Sequence, residues 1–345
     1  MRRRGWLGAG LVTGAALAGL AATSGSLLPL TLPFSIAPGG PAPASVPAAD
    51  DGATVVGERR RGERVLDLAV RSPVLPDVAR VRLLLPPGWR RGSERTWPVL
   101  WLLHGLRGDH GSWTDHTDVE QLTADLGVLV VMPDGGPSGL HTDWWNRGVG
   151  GVPRWETFHL TELRQILERG YGAGTARAVA GCGHGGLGAL GYAARHRGLF
   201  RAAASFSGPL HILYNDPGGL DVSDLVELAV AIGSRGADWT DVWGDPDEQR
   251  VVWRRHNPYD LADRLAGVRL HVASGDGTPG PFDPLPAPGP DVVEGLSHLL
   301  GVEFAGKLKK LGIPVSTHFY RGTQGWAYWQ RELRAALPLL VAEIT

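Results

Sequence analysis

The run Ala176-Arg177-Ala178-Val179-Ala180-Gly181-Cys182-Gly183-His184-Gly185-Gly186 constrains the fold more than any other stretch of the chain. An apolar, strand-like segment (176–180) meets a small-residue segment with helical character (185–195) across a turn with glycine at every second position. A strand that enters a helix so abruptly belongs to a parallel α/β sheet, and glycine reaches the strained backbone of such a turn that residues bearing a Cβ tolerate poorly. From about residue 63 the rest of the chain repeats the theme, with short apolar runs alternating with helical patterns as in βαβ units. Strands are expected at 64–70, 81–85, 99–103, 128–132, 176–180, 202–206, 268–274 and 315–320, and helices at 119–125, 156–169, 185–195, 291–311 and 326–342. Residues 209–265 interrupt the alternation with the turn Asp216-Pro217-Gly218-Gly219 and with Trp239, Trp243 and Trp253. This insertion is expected to act as a cap over the mouth of the site, its tryptophans serving packing before ligand contact.

A chain of 345 residues with 43% apolar content can bury a sizeable core, and one main domain over 61–345 is expected. The net charge of −1 offers nothing to a nucleic-acid partner. At the start, Arg2, Arg3 and Arg4 precede the uncharged run 6–22, the layout of an export signal, so residues 1–26 read as a signal or an uncleaved anchor. Export by the general secretory or the twin-arginine route fits equally, and the protein is expected to be secreted or associated with the cell envelope. Contact with a membrane is expected only through an uncleaved N-terminal segment. Residues 27–60, rich in Pro, Gly and Ala, read as a flexible linker. Cys182 is the lone cysteine and excludes an internal disulfide.

The segment Gly181-Cys182-Gly183-His184-Gly185 resembles the Gly-x-Ser-x-Gly nucleophile elbow of α/β hydrolases, with glycine in the place of the serine. Further stretches follow in order: Leu103-His104-Gly105-Leu106-Arg107-Gly108, Val131-Met132-Pro133-Asp134-Gly135-Gly136, Thr142-Asp143-Trp144-Trp145, Trp243-Gly244-Asp245-Pro246, Gly275-Asp276-Gly277-Thr278-Pro279 and Gly322-Thr323-Gln324-Gly325-Trp326-Ala327-Tyr328-Trp329. Together they resemble the antigen 85 mycolyltransferases and the secreted esterases around them, over nearly all of residues 60–342. The resemblance implies an α/β-hydrolase fold: a mostly parallel eight-stranded sheet with helices on both faces. It also implies an ancestral acyl-ester hydrolysis or transfer through a Ser, His and Glu triad. Carried onto this chain, the serine falls on Gly183, the histidine on Gln324 and the acid on Glu294, so only the acid remains. The oxyanion donors fall on the backbone N–H groups of Leu106 and His184. Arg107 matches a position lining a sugar-binding face, His104 replaces an aspartate there, and Trp326 belongs to the same ligand-facing set.

A serine hydroxyl needs a base matched to neutral pH, and neither Gly183 nor Gln324 supplies its part of that pair. Oxyanion hole and binding alone leave about 10³ to 10⁴-fold acceleration over water. The Gln324 amide could still donate to Glu294 as a structural contact. Two readings follow. In the first the chain is a catalytically degenerate esterase relative that binds an envelope lipid, glycan or protein. In the second an active carboxylesterase or acyltransferase uses Cys182 as nucleophile or His184 as base for a bound water. Alternation of side chains along a strand turns Cys182 into the packing, which favours the first. No cofactor and no metal are expected, because no His/Cys cluster and no carboxylate set has ligand spacing.

Overall fold

Nine strands form one sheet in the computed structural model, which describes residues 46–345 apart from 139, 234–237 and 288. They are β1 Thr54–Arg60, β2 Val65–Arg71, β3 Ala79–Leu84, β4 Trp97–Leu103, β5 Leu129–Pro133, β6 Ala173–Cys182, β7 Ala202–Phe206, β8 Arg269–Gly275 and β9 Val315–Tyr320. Their order is β1-β2-β3-β5-β4-β6-β7-β8-β9. The first three pairings are antiparallel and the remaining five parallel. Central strands of a parallel sheet covered on both faces are apolar throughout, and β5 and β7 are buried at every position.

Successive side chains of these strands divide between two layers. Leu100, Leu102, Ala178, Ala180, Cys182, Ala204 and Phe206 pack against Leu333, Ala336, Leu337 and Leu340 of the C-terminal helix Trp326–Ala342. Val99, Trp101, Leu103, Val179 and Ala203 face the other way, toward Leu190, Tyr192 and Ala193 of the helix His184–Arg195. Two helical layers on one sheet give the α/β-hydrolase architecture that the sequence implied.

The count of eight strands is corrected to nine. Strand β1 lies inside the stretch read as a flexible linker, and Ala49 and Ala53 before it are buried, so the folded domain begins earlier than residue 61. The strand escaped the pattern because it is an edge, half-exposed and charged at Glu58, Arg59 and Arg60. It is held by its antiparallel pairing to β2, with a register shift between Val55 and Gly57, and by Arg91 donating to both oxygens of Glu58 at 2.7 Å. The export signal and the first part of the expected linker lie outside the described residues. Two helices also differ. The helix expected at 119–125 covers only Val119–Leu122, and the one expected at 156–169 contains a π-helical stretch, Phe158–Leu163, that turns His159 and Glu162 inward.

The insertion folds over the C-terminal ends of β6, β7 and β8. Its helices Val222–Gly233, Thr240–Trp243 and Arg250–His256 bury Val222, Val226, Val230, Val242, Trp243 and Trp253 against Leu140, Leu187 and Leu300. Trp243 Nε1 donates to Thr142 Oγ1 at 3.2 Å and Trp253 Nε1 to the Gly244 carbonyl at 2.9 Å. Both rings are packed and satisfied core residues, as expected for the segment.

Candidate active site

Three glycines make the turn between β6 and the helix His184–Arg195, each for its own reason. A Cβ on Gly181 would sit 2.2 Å from the Gly185 backbone, and one on Gly185 would sit 2.3 Å from the Leu103 carbonyl oxygen, so strand, turn and helix touch without room for a side chain. Gly183 differs. A Cβ there would meet only Gly105 Cα, at 3.9 Å, but φ is 52° and ψ −123°, a conformation open to glycine and strained for other residues. The Gly183 N–H donates to the Phe206 carbonyl at 2.8 Å, while its own carbonyl accepts from Gly186 N–H at 2.9 Å. Space for a side chain exists, and the backbone is already bent as a reacting residue at an elbow apex would require. Gly183→Ala is accordingly expected to destabilise the fold by about 1 to 3 kcal/mol through backbone strain alone. Chemical denaturation checks it, and an unchanged midpoint would contradict the strained turn.

Gly183 opens on a cavity of about 1110 Å³ that is also lined by Leu106, Arg107, His184, Gln324 and Trp326. The insertion supplies Leu220, Leu225 and Ala229, and the helix Val292–Lys310 supplies Val292, Val293, Leu296 and Leu299. Aliphatic side chains thus form the insertion and helix sides of the wall, and polar side chains stand both near the turn (Arg107, His184) and beyond β8 (Asp276, Thr278, Asp291). Among the described residues neither the Leu106 N–H nor the His184 N–H, at the first position of its helix, donates to another protein group. Such a pair of unspent backbone donors flanking Gly183 is what an oxyanion site requires. The His184 ring adds little positive charge: its Nδ1–H donates to the Ser138 carbonyl at 2.6 Å, and burial holds its pKa below the usual histidine range.

The expected contact between Gln324 and Glu294 is not made. Glu294 is fully buried behind the cavity wall, where Oε1 accepts from Ser207 Oγ at 2.8 Å and from Gly275 N–H at 2.5 Å. Oε2 has no partner, and burial pushes the carboxyl up to about 8. Gln324 is fixed through its backbone instead, its N–H donating to Asp291 Oδ2 at 2.9 Å. Asp291 in turn caps the helix Val292–Lys310 by accepting from Glu294 N–H at 3.0 Å. The retained acid and the glutamine are thus held by the same aspartate without touching each other. Ser207, with φ 56° and its hydroxyl also accepting from Trp329 Nε1 at 3.1 Å, took over the carboxylate. Nothing in its spacing marked it in the sequence.

One further expectation is corrected and one alternative is closed. His104 is not a ligand contact: it is buried, its Nδ1–H donates to the Gly105 carbonyl and its Nε2 accepts from Gly135 N–H, both at 2.8 Å. Both ring nitrogens are spent on fixing the loops below the cavity. Cys182 is not an alternative nucleophile, because it lies fully buried in the layer under the C-terminal helix and burial drives its thiol well above the ordinary range. Arg107 and Trp326 do line the cavity, and Trp326 stacks on His116 with ring centroids 4.9 Å apart. His116, exposed on the short helix Ser112–His116, is a cavity residue that sequence spacing gave no reason to select.

The Esterase family model matches residues 72–340 of the chain. An esterase of Mycobacterium tuberculosis is 34% identical over 246 residues, covering 69% of this chain and 50% of that protein. The diacylglycerol acyltransferase/mycolyltransferase Ag85B of Mycolicibacterium smegmatis is 31% identical over 253 residues, or 70% of this chain and 75% of that one. The chain thus spans about half the length of the esterase relatives and three quarters of the acyltransferase. Among solved structures, Mycobacterium tuberculosis MPT51 (FbpC1) superposes with a TM-score of 0.65 at 24% identity, over 82% of this chain and all of that one. An S-formylglutathione hydrolase from Agrobacterium tumefaciens gives 0.61 at 16% identity, over 84% and 99%, a likeness of fold alone.

Proposed function

The chain belongs to the Esterase family, related to the antigen 85 mycolyltransferases, and from that premise we propose that it keeps the family's cleft as a binding site while lacking the family's covalent chemistry. One observation carries the reading: the residue at the strained apex facing the cavity is Gly183, with no side chain to attack a carbonyl. Gln324 repeats the loss at the base, since an amide neither takes a proton at neutral pH nor hands one to a leaving group. What remains is a set of binding parts: the Leu106 and His184 N–H donors, Arg107, Trp326 and the aliphatic wall. These hold an acyl group and its carbonyl without cleaving it. Its ligand is then an envelope lipid or lipid-like glycan, met outside the cytoplasm after export through the N-terminal signal. The carbonyl-binding donors and the chain-length wall favour a lipid over a protein partner.

Incubation of the purified protein with a short-chain nitrophenyl ester and a fluorophosphonate probe tests the reading. Hydrolysis indistinguishable from buffer and no probe labelling are expected. Turnover that disappears in His184→Ala would install the rival reading, in which the His184 Nε2, free of its own hydrogen bond, activates water.

A further inference from the structure

We propose that the cavity selects a long-chain carboxylate, the free acid, over the corresponding ester or alcohol. This rests on the reading of the chain as a binding protein and names its ligand class. A Cβ at Gly183 would meet nothing closer than 3.9 Å, so the volume that a nucleophile's side chain would fill is part of the cavity. Next to it stand the unspent N–H groups of Leu106 and His184. A carboxylate presents two oxygens. One accepts from the backbone pair, and the other enters the volume left beside Gly183. An ester places only its carbonyl oxygen well, because the oxygen in the second position is neutral and carries an alkyl group that the same volume must take in, and an alcohol has no second oxygen.

Charge is arranged in the same sense along the sheet. Arg107, exposed and with no hydrogen bond or ion pair to its guanidinium among the described residues, sits on the loop after β4, next to β6 and its apex at Gly183. The two carboxylates of the cavity, Asp276 and Asp291, stand two strands away at the end of β8 and the start of the following helix. Each is engaged: Asp276 Oδ1 accepts from Thr278 N–H at 2.8 Å and its hydroxyl at 2.6 Å, and Asp291 accepts from Glu294 and Gln324 N–H groups. The ligand's charged end therefore belongs at the β4–β6 side. Its chain belongs against Leu225, Ala229, Val292, Leu296 and Leu299, a cavity of the size that small-molecule sites have. Charge-assisted hydrogen bonds are about twice as strong as neutral ones, which is the source of the selectivity.

Calorimetric titration with laurate, methyl laurate and 1-dodecanol, each below its aggregation limit, decides the matter. Laurate is expected to bind at least about tenfold tighter than either neutral ligand. Arg107→Gln is expected to weaken laurate severalfold, and to weaken it more than 1-dodecanol, and Gly183→Ser, by filling the second oxygen's place, is expected to narrow the gap between acid and ester. Equal affinity for the three ligands, or tighter binding of the ester, would overturn the carboxylate preference and leave the binding function standing. Binding of none would remove the binding function itself, and the preference with it.

Discussion

Gly183→Ser combined with Gln324→His is expected to raise hydrolysis of a short-chain nitrophenyl ester about 10² to 10³-fold above the wild type, while each change alone yields less than about tenfold. The asymmetry follows from the proton. A serine without a base stays protonated, and a base without a serine has only water to activate, so the two groups act as a unit. A full triad is worth about 2 × 10⁶ in kcat, and a grafted one recovers part of that because its rotamers were not selected together. The rest of the machinery stands ready. The apex already has φ 52° and ψ −123°, Leu106 and His184 offer their N–H groups, and Glu294 Oε2 has no partner. An imidazole that reaches Oε2 would also draw the Glu294 carboxyl down from about 8, since an ion pair forms where burial alone now acts. Activity of the double variant should therefore rise with pH through the titration of the new histidine. Steady-state rates of the wild type, both single variants and the double variant measure this. A double variant no faster than the singles would mean that Ser207 and Gly275, which hold Oε1, have drawn the acid out of reach.

How much of this was legible in the sequence depends on what each residue does. Strands Ala202–Phe206 and Val315–Tyr320 and the helix Trp326–Ala342 fall where the sequence sets them, the strands as short segments between helical stretches and the helix by apolar residues at helical spacing, Tyr328, Leu333, Ala336, Leu337 and Leu340. Gly183 was legible because its neighbours are: Gly181 and Gly185 are demanded by close backbone approach, which fixes the turn and so the apex between them. Strand β1 was not, since an edge strand needs no continuous apolar face. Nor was the fate of Glu294. Its position could be read from the motif, but its partner Ser207 lies 87 residues away and is brought in only by the pairing of β7 with β8. His104 failed for a related reason: a histidine beside a cleft and a histidine under its floor look the same in one dimension. The alternation of side chains along β6 did foretell that Cys182 faces the packing.

Lowering the pH from 7 to 5 is expected to destabilise the fold markedly, through histidines that must stay neutral. Burial holds His104, His141, His159, His184, His211, His256 and His271 below the usual value, His159 at about 4 and His256 at about 3. Three of them touch: the His104 and His141 rings lie 4.9 Å apart and those of His141 and His159 5.8 Å. A base whose folded pKa is lowered contributes stability that is complete above the unfolded value of about 6.5 and is lost as the pH falls below it. At pH 5 that loss is about 2 kcal/mol for each of His159 and His256. Glu294, at about 8, and Glu162, pushed by burial to about 7, work in the opposite direction. They are protonated in the folded protein and ionised in the unfolded one above about pH 4.5, so each regains about 2 to 3 kcal/mol between pH 7 and 5. Those two carboxyls roughly offset His159 and His256, and the other five histidines decide the sign. Below about pH 4.5 the offset ends. Glu156 then joins the loss, because Arg195 and His196 hold it far down against the burial that would raise it. A melting midpoint at pH 5 roughly 5 °C or more below that at pH 7 is expected from thermal scans between pH 4 and 8. A midpoint that is flat or rises toward pH 5 would mean that the carboxyls dominate. Protonation of His104 would break the contact from Gly135 N–H to its Nε2, since an imidazolium has no lone pair to accept it. Its loss would free the loop whose Ser138 carbonyl holds His184 beside the apex, so ligand affinity should fall together with stability as the pH drops.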